Sequence, residues 1–213
     1  MKYEAVFVDW DGTLSDSRFW DRWRDDPERA EKYGKIQNAL FETVTGKRML
    51  KFWMTGFWDY KQILTYVNES TGVSYGELEN ELRYSAENMK LIDDKVLDQV
   101  RQLRDIGKQV VIATDNMDTF DLWTVPALEL NDHFDDILNS SSVKLLKGAA
   151  SPFGAKGSFF SRYLKQMSIA PENTVLIDNS RSAKSVEGAG MNFMHVNNRH
   201  SLSDHLSTIL EEY

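Results

Sequence analysis

The chain predicts an α/β protein, a doubly wound parallel sheet interrupted by an all-helical insertion. Three observations predict it. Short apolar runs without alternation recur at residues 6–8 (VFV), 109–113 (QVVIA), 174–177 (TVLI) and 193–196 (FMHV), as expected of strands buried on both faces. Helical periodicity fills the intervals between them. Residues 16–92 differ in composition from the rest, with a net charge of -1 against -7 and 13 of the 25 aromatic side chains.

The first strand ends abruptly at Asp9, followed by Asp11 and Gly12. Residues 16–92 then read as helices. Ile36, Leu40, Thr43 and Val44 keep helical spacing, as do Ile63, Leu64 and Val67. Thr71-Gly72-Val73-Ser74 is a break, and Ser74 with Glu77 fits a capping box. Val96, Val100, Leu103 and Ile106 mark the next helix, closed by Gly107. Strand 109–113 leads into Thr114, and strand 174–177 into Asp178. Between them, residues 139–157 are rich in small side chains and read as a loop. A helix over 158–167 follows, carrying Phe159, Phe160, Tyr163, Leu164 and Met167, and a last one spans 202–210.

Ligands of such sheets bind at the carboxyl ends of the strands, where Asp9, Thr114 and Asp178 all stand. If the strand continued, Asp9 and Asp11 would face the same way. Two carboxylates that close resist joint ionisation unless a cation lies between them or one keeps its proton. A bare carboxylate serves as nucleophile or metal ligand, and a protonated one as general acid.

Composition narrows the classes. The formal net charge of -8 argues against a nucleic-acid backbone as partner. With no cysteine, disulfides and thiolate metal sites are excluded. No apolar run approaches the ~20 residues of a membrane span, and charges at Asp9 and Asp11 interrupt any leader-like segment. A cytoplasmic protein without membrane or nucleic-acid partner is the expectation, and the oligomeric state is not encoded in any recognisable pattern. The four histidines lack metal spacing, an EF-hand would need its glycine at Leu14, and Gly188-Ala189-Gly190 follows a helical stretch instead of a strand.

The ordered motifs resemble those of the haloacid dehalogenase-like (HAD) superfamily of hydrolases. Asp9-Trp10-Asp11-Gly12-Thr13 resembles the first motif, DxDGT, and Thr114, Lys156 and Asp178 match the hydroxyl, lysine and metal-binding acid of the other three. The resemblance implies a Rossmann-like core of residues 1–15 and 93–213 with a helical cap at 16–92. It implies Asp9 as nucleophile, Asp11 as acid and base, and Mg²⁺ on Asp9, the Asp11 carbonyl and Asp178. Thr114, with Asp115, Asn116 and Lys156, would bind the substrate, a small phosphorylated metabolite. Dehalogenases lack an acid at the Asp11 position, which favours phosphoryl transfer.

Two departures accompany the match. The fourth motif commonly has a second acid or Asn where this chain has Ser182, and Asn179 replaces a second carboxylate. Lys144 and Lys147 share the loop with Lys156, which has the better distance to Asp178. A phosphomutase of the same family and a non-catalytic binding protein on this fold remain alternatives. In the helical insertion, aromatics such as Trp20, Trp23 and Trp53 read as core packing, and its arginines and lysines as a solvated face.

Overall fold

A computed structural model of the chain describes residues 3–148, 159–180, 186 and 189–212. Five parallel strands form one sheet: β1 (Ala5–Val8), β2 (Gln109–Thr114), β3 (Asp136–Asn139), β4 (Thr174–Asp178) and β5 (Asn192–His195), in the order β3-β2-β1-β4-β5. β1 is central, with Val8 opposite Ile112 of β2 on one side and Ile177 of β4 on the other. That register brings the residues just past β1 between the ends of β2 and β4.

The period of two along each strand decides which layer a side chain joins. Val6, Val8, Val110, Ile112, Val175 and Ile177 belong to one buried cluster. It also takes in Val96, Val100 and Leu103 of α6 (Lys95–Asp105) and Leu202, Leu206 and Ile209 of α11 (Ser201–Glu211). The alternate residues Ala5, Phe7, Val111, Ala113 and Leu176 join the opposite cluster with Tyr163 and Leu164 of α10 (Ser161–Met167). Phe7 meets Phe160 edge-on at 4.9 Å between centroids. Both faces are therefore covered, which explains why the strands read as uninterrupted apolar runs.

Between β1 and α6 the chain is helical: α1 (Asp21–Arg24), α2 (Ala30–Gln37) with a π-helical turn (Asn38–Glu42), α3 (Val44–Met54), α4 (Tyr60–Thr71) and α5 (Tyr75–Glu87). Trp20, Trp23, Trp53, Ile63, Leu78 and Leu82 are among the buried side chains of its own apolar cluster. Gly72, at φ 72°, ends α4. The reciprocal capping box lies at Asp59 and Gln62. At Ser74 the hydroxyl accepts from the Glu77 amide but donates to the Glu77 carboxylate, so that box is only half formed. The segment leaves and returns side by side: Ser15 Oγ donates to the Lys90 carbonyl at 2.7 Å, and the Ile92 amide to the Leu14 carbonyl at 2.9 Å.

The chain after β2 differs from the expected loop. A π-helical turn (Phe120–Thr124), α7 (Val125–Ala127) and α8 (Leu130–His133) lead to β3, and α9 (Ser140–Val143) follows it. Asn139 closes β3, so the expected loop of 139–157 begins as strand end and helix. β3 is a half-exposed edge strand opening on Asp136, and such a strand lacks the apolar run that marked the others. Residues 149–158 lie outside the described residues. No described helix is long and apolar enough to cross a membrane.

Candidate active site

Three chain segments converge at the carboxyl edge of the sheet. Asp9 follows β1 and its amide donates to the Ile177 carbonyl at 2.9 Å, which draws it against β4. Asp178 closes β4, and Thr114 closes β2. Asp9 is 5% exposed and Asp178 fully buried. The Lys147 ammonium lies between these two carboxylates, 2.6 Å from Asp9 Oδ1 and 2.6 Å from Asp178 Oδ2. Lys147 is itself buried. Its amide donates to Asp115 Oδ1 at 2.8 Å, which pins the loop to the end of β2.

One buried cation faces two buried carboxylates, and their proton affinities move apart. Burial, with Asp178 nearby, pushes Asp9 up to about 7 despite the lysine. Burial also acts on Asp178, but Lys147 and the Ser180 amide, 2.6 Å from Oδ1, hold that carboxyl below its ordinary value. Burial opposes the charge on Lys147, and the surrounding carboxylates outweigh it and raise its pKa. Asp115 is shifted up, chiefly by burial. The closely coupled carboxylates are thus Asp9 and Asp178, on neighbouring strands. The expectation for Asp9 and Asp11 rested on a strand that ends at Val8.

Past Asp9 the backbone turns tightly: the Leu14 and Ser15 amides donate to the Trp10 carbonyl, and the Gly12 amide to the Ser15 carbonyl. Gly12 has φ +73°, and a Cβ there would stand 2.0 Å from Asn179 Nδ2. The Asn179 amide in turn donates to Thr13 Oγ1 at 3.2 Å. Glycine takes this φ without strain and leaves room for the Asn179 side chain where the loops after β1 and β4 meet. The Asp11 carboxylate is half exposed and pairs with Arg18. Thr114 Oγ1 is fully buried and has no hydrogen-bond partner among the described residues. Asn116 is buried; its amide donates to Ser140 Oγ, and its Oδ1 accepts from the Met117 amide.

A cavity of about 590 Å³ opens over this edge. Asp11, Asp115 and Asn116 line it from the sheet side, and Arg18, Trp20 and Trp53 from the helical segment. Hydrogen bonds hold the segment against the sheet. Trp53 Nε1 donates to Asp118 Oδ1 at 2.6 Å, the Tyr60 amide to Asp118 Oδ2 at 3.0 Å, and Ser140 Oγ to the Met54 carbonyl at 2.6 Å.

Of the residues expected at the site, Asp9, Thr114, Asp115, Asn116 and Asp178 gather at this edge, with Asp11 at the cavity. Lys156 and Ser182 lie outside the described residues. Lys147 is the lysine seen in the cluster, and spacing to Asp178 did not select it. Its signal was the end of β3, from which the chain reaches back over the site, and that strand was missed. Arg18 carried no sequence signal. No trio of His, Cys, Asp or Glu suited to a metal gathers among the described residues. Two buried carboxylates are nevertheless hard oxygen donors of the kind that suits Mg²⁺, a cation bound through one or two carboxylates and several retained waters. They do not fit the closed nitrogen and sulfur shells of structural zinc.

Comparison with known proteins gives the family and the fold. A sequence model of the haloacid dehalogenase-like hydrolases matches residues 3–181, and the chain belongs to that family. No curated protein matches it in sequence. Among solved structures, a HAD-like family hydrolase from Porphyromonas gingivalis superposes with a TM-score of 0.75 at 15% identity, covering 100% of both chains. A HAD family enzyme from Bacteroides thetaiotaomicron, in complex with magnesium and inorganic phosphate, superposes with a TM-score of 0.63 at 17% identity, over 91% of this chain and 93% of that one. The L-2-haloacid dehalogenase of Xanthobacter autotrophicus has a TM-score of 0.63 at 13% identity, over 97% and 83%.

Proposed function

We propose that this protein is an Mg²⁺-dependent phosphatase that hydrolyses a small phosphorylated metabolite through an aspartyl-phosphate. The observation that carries the reading is the Lys147 ammonium held between the buried Asp9 and Asp178 carboxylates, with Asp11, two residues on from Asp9, lining the cavity. In the first step an Asp9 oxygen attacks phosphorus, and the bond from phosphorus to the substrate oxygen breaks. Asp11, as the acid, protonates that departing oxygen. In the second step water attacks the same phosphorus, its proton passes to the Asp11 carboxylate, and the phosphorus–Asp9 bond breaks to release phosphate. Lys147 neutralises charge on the phosphoryl oxygens, and the unpartnered Thr114 hydroxyl is available to donate to one of them. Asp115 and Asn116 border the substrate.

Mg²⁺ would be held by the Asp9 and Asp178 carboxylates and the Asp11 carbonyl, and when bound it offsets the repulsion between nucleophile and phosphate. The magnesium and phosphate bound by the Bacteroides relative support the assignment. Residues 16–92 act as the cap, screening the reaction from bulk water. The dehalogenase relative does not redirect the reading. A departing halide needs no proton, whereas a departing alcohol does, and Asp11 supplies a group for that purpose.

Phosphate release from p-nitrophenyl phosphate with Mg²⁺ tests the proposal. Asp9→Asn is expected to lower kcat by about 10⁴-fold or more. Asp11→Asn is expected to slow turnover by about 10²- to 10⁴-fold, with Mg²⁺ binding by calorimetry retained. Full turnover in Asp9→Asn would overturn the reading.

A further inference from the structure

The cavity has two unlike ends. Its floor is polar, at Asp11, Asp115 and Asn116, whereas its upper wall is built from Phe19, Leu40, Phe41, Leu50, Trp53 and Met54. Several polar atoms at that end already have partners within the protein. Trp20 Nε1 donates to the Leu78 carbonyl at 3.4 Å and Trp53 Nε1 to Asp118 at 2.6 Å. Tyr33 Oη donates to Asp21 at 3.4 Å. Arg24 pairs with Asp21 and Asp25, and Arg18 with Asp11. Gln37 has no side-chain hydrogen bond among the described residues and can meet a polar substituent.

From this we infer that the alcohol released is a bulky, apolar, ring-bearing one and not a polyol. The inference rests on the phosphatase reading and names its substrate class. A sugar or glycerol moiety would set hydroxyls against the apolar side chains of this wall, at about 1–3 kcal/mol for each one left unsatisfied. A ring system loses nothing there and gains roughly 25 cal/mol for each Å² of apolar surface covered. The volume of about 590 Å³ lies within the usual range for small-molecule sites, about 300–1,000 Å³. It exceeds what a three-carbon phosphate needs. Trp20 and Trp53 are fully buried, so this wall is formed before the ligand arrives and little ordering cost remains. The thioethers of Met54, Met89 and Met117 line the same space and suit the faces and edges of rings.

The test uses the intact wild-type protein with Mg²⁺ and four probes: naphthylmethyl phosphate, glucose phosphate esterified at its primary hydroxyl, glycerol phosphate and acetyl phosphate. The first three release primary alcohols of comparable leaving ability, so differences among them report the wall. The expected result is a kcat/KM for naphthylmethyl phosphate at least about tenfold above both polyol esters. Leu50→Asn and Met54→Gln should each shrink that ratio by about tenfold. Equal or better turnover of the polyol esters would overturn the inference and leave the phosphatase standing. Absence of phosphate release from all four probes, acetyl phosphate included, would overturn the phosphatase reading and this inference with it.

Discussion

The floor of the cavity and its upper wall obey different rules. Around the floor, chemistry demands particular atoms: next in the chain to Asp11 and Asp115 stand Asp9 and the Thr114 hydroxyl, with Asp178 and the Lys147 ammonium in 2.6 Å contacts and a tight turn at Gly12. In the wall, packing demands apolar volume and engaged polar atoms, and many sequences satisfy that. The first kind of region leaves ordered motifs in the chain. The second leaves a composition, here 13 aromatics in 77 residues, from which a ligand class emerges only once the side chains are assembled around a space.

If the floor depends on specific charges, removing its cation should do the most damage. Lys147→Met leaves Asp9 and Asp178 buried together without a counter-charge. It is expected to destabilise the metal-free protein by about 3–5 kcal/mol and to lower kcat by about 10²- to 10³-fold, read by denaturant melts and phosphate release. Lys156→Met is expected to cost much less on both measures. The reverse ranking would move the lysine of the site to position 156.

Gly12→Ala is the next largest. It places a Cβ at positive φ and 2.0 Å from the Asn179 side chain, so Asn179 must move. A loss of about 2 kcal/mol or more, seen as a lower Tm, is expected from the backbone conformation and the clash together.

The pH dependence separates floor from wall without mutation. Asp9 is raised from 3.8 to about 7, so the metal-free fold holds its proton more tightly than the unfolded chain does. That contribution is complete below about pH 4 and is lost as pH rises towards 7. Asp178 is shifted down; its contribution is present above its ordinary value and lost as pH falls below it. Mg²⁺ competes with the Asp9 proton, so the rise in Tm on adding Mg²⁺ should be larger at pH 8 than at pH 5. An equal rise at both values would remove Asp9 from the metal site.

Trp53→Phe is the mildest change and probes the join between wall and floor. It deletes the indole hydrogen bond to Asp118 while keeping most of the apolar volume. A cost of about 1 kcal/mol is expected, with a change in KM larger than any change in kcat.

Most of the fold was readable in the sequence because β1, β2 and β4 are buried on both faces and flanked by periodic helices. β3 was not, since its pattern of exposure is that of an edge strand opening on Asp136. That omission also hid Lys147, the lysine that lies between Asp9 and Asp178. With β3 unseen, residues 139–157 read as one loop and distance along the chain favoured Lys156, whereas Asn139 and α9 redirect the backbone and bring Lys147 to Asp9. The carboxylates themselves were readable because each directly ends or follows a strand. Arg18 was not, since its pairing with Asp11 depends on how the chain leaves the turn at Gly12. The aromatics of the helical segment were read as packing, and Trp23 is that; Trp20 and Trp53 are buried and also face the cavity.

The central claim is that the Asp9 carboxylate carries the phosphoryl group between substrate and water. Rapid acid quenching of turning-over protein, followed by peptide mass mapping, addresses it directly. One phosphoryl group is expected on the peptide containing Asp9, accumulating in Asp11→Asn and absent from Asp9→Asn. Phosphate release from a protein whose Asp9 peptide stays unmodified at every quench time, with the label on another residue or on none, would contradict it.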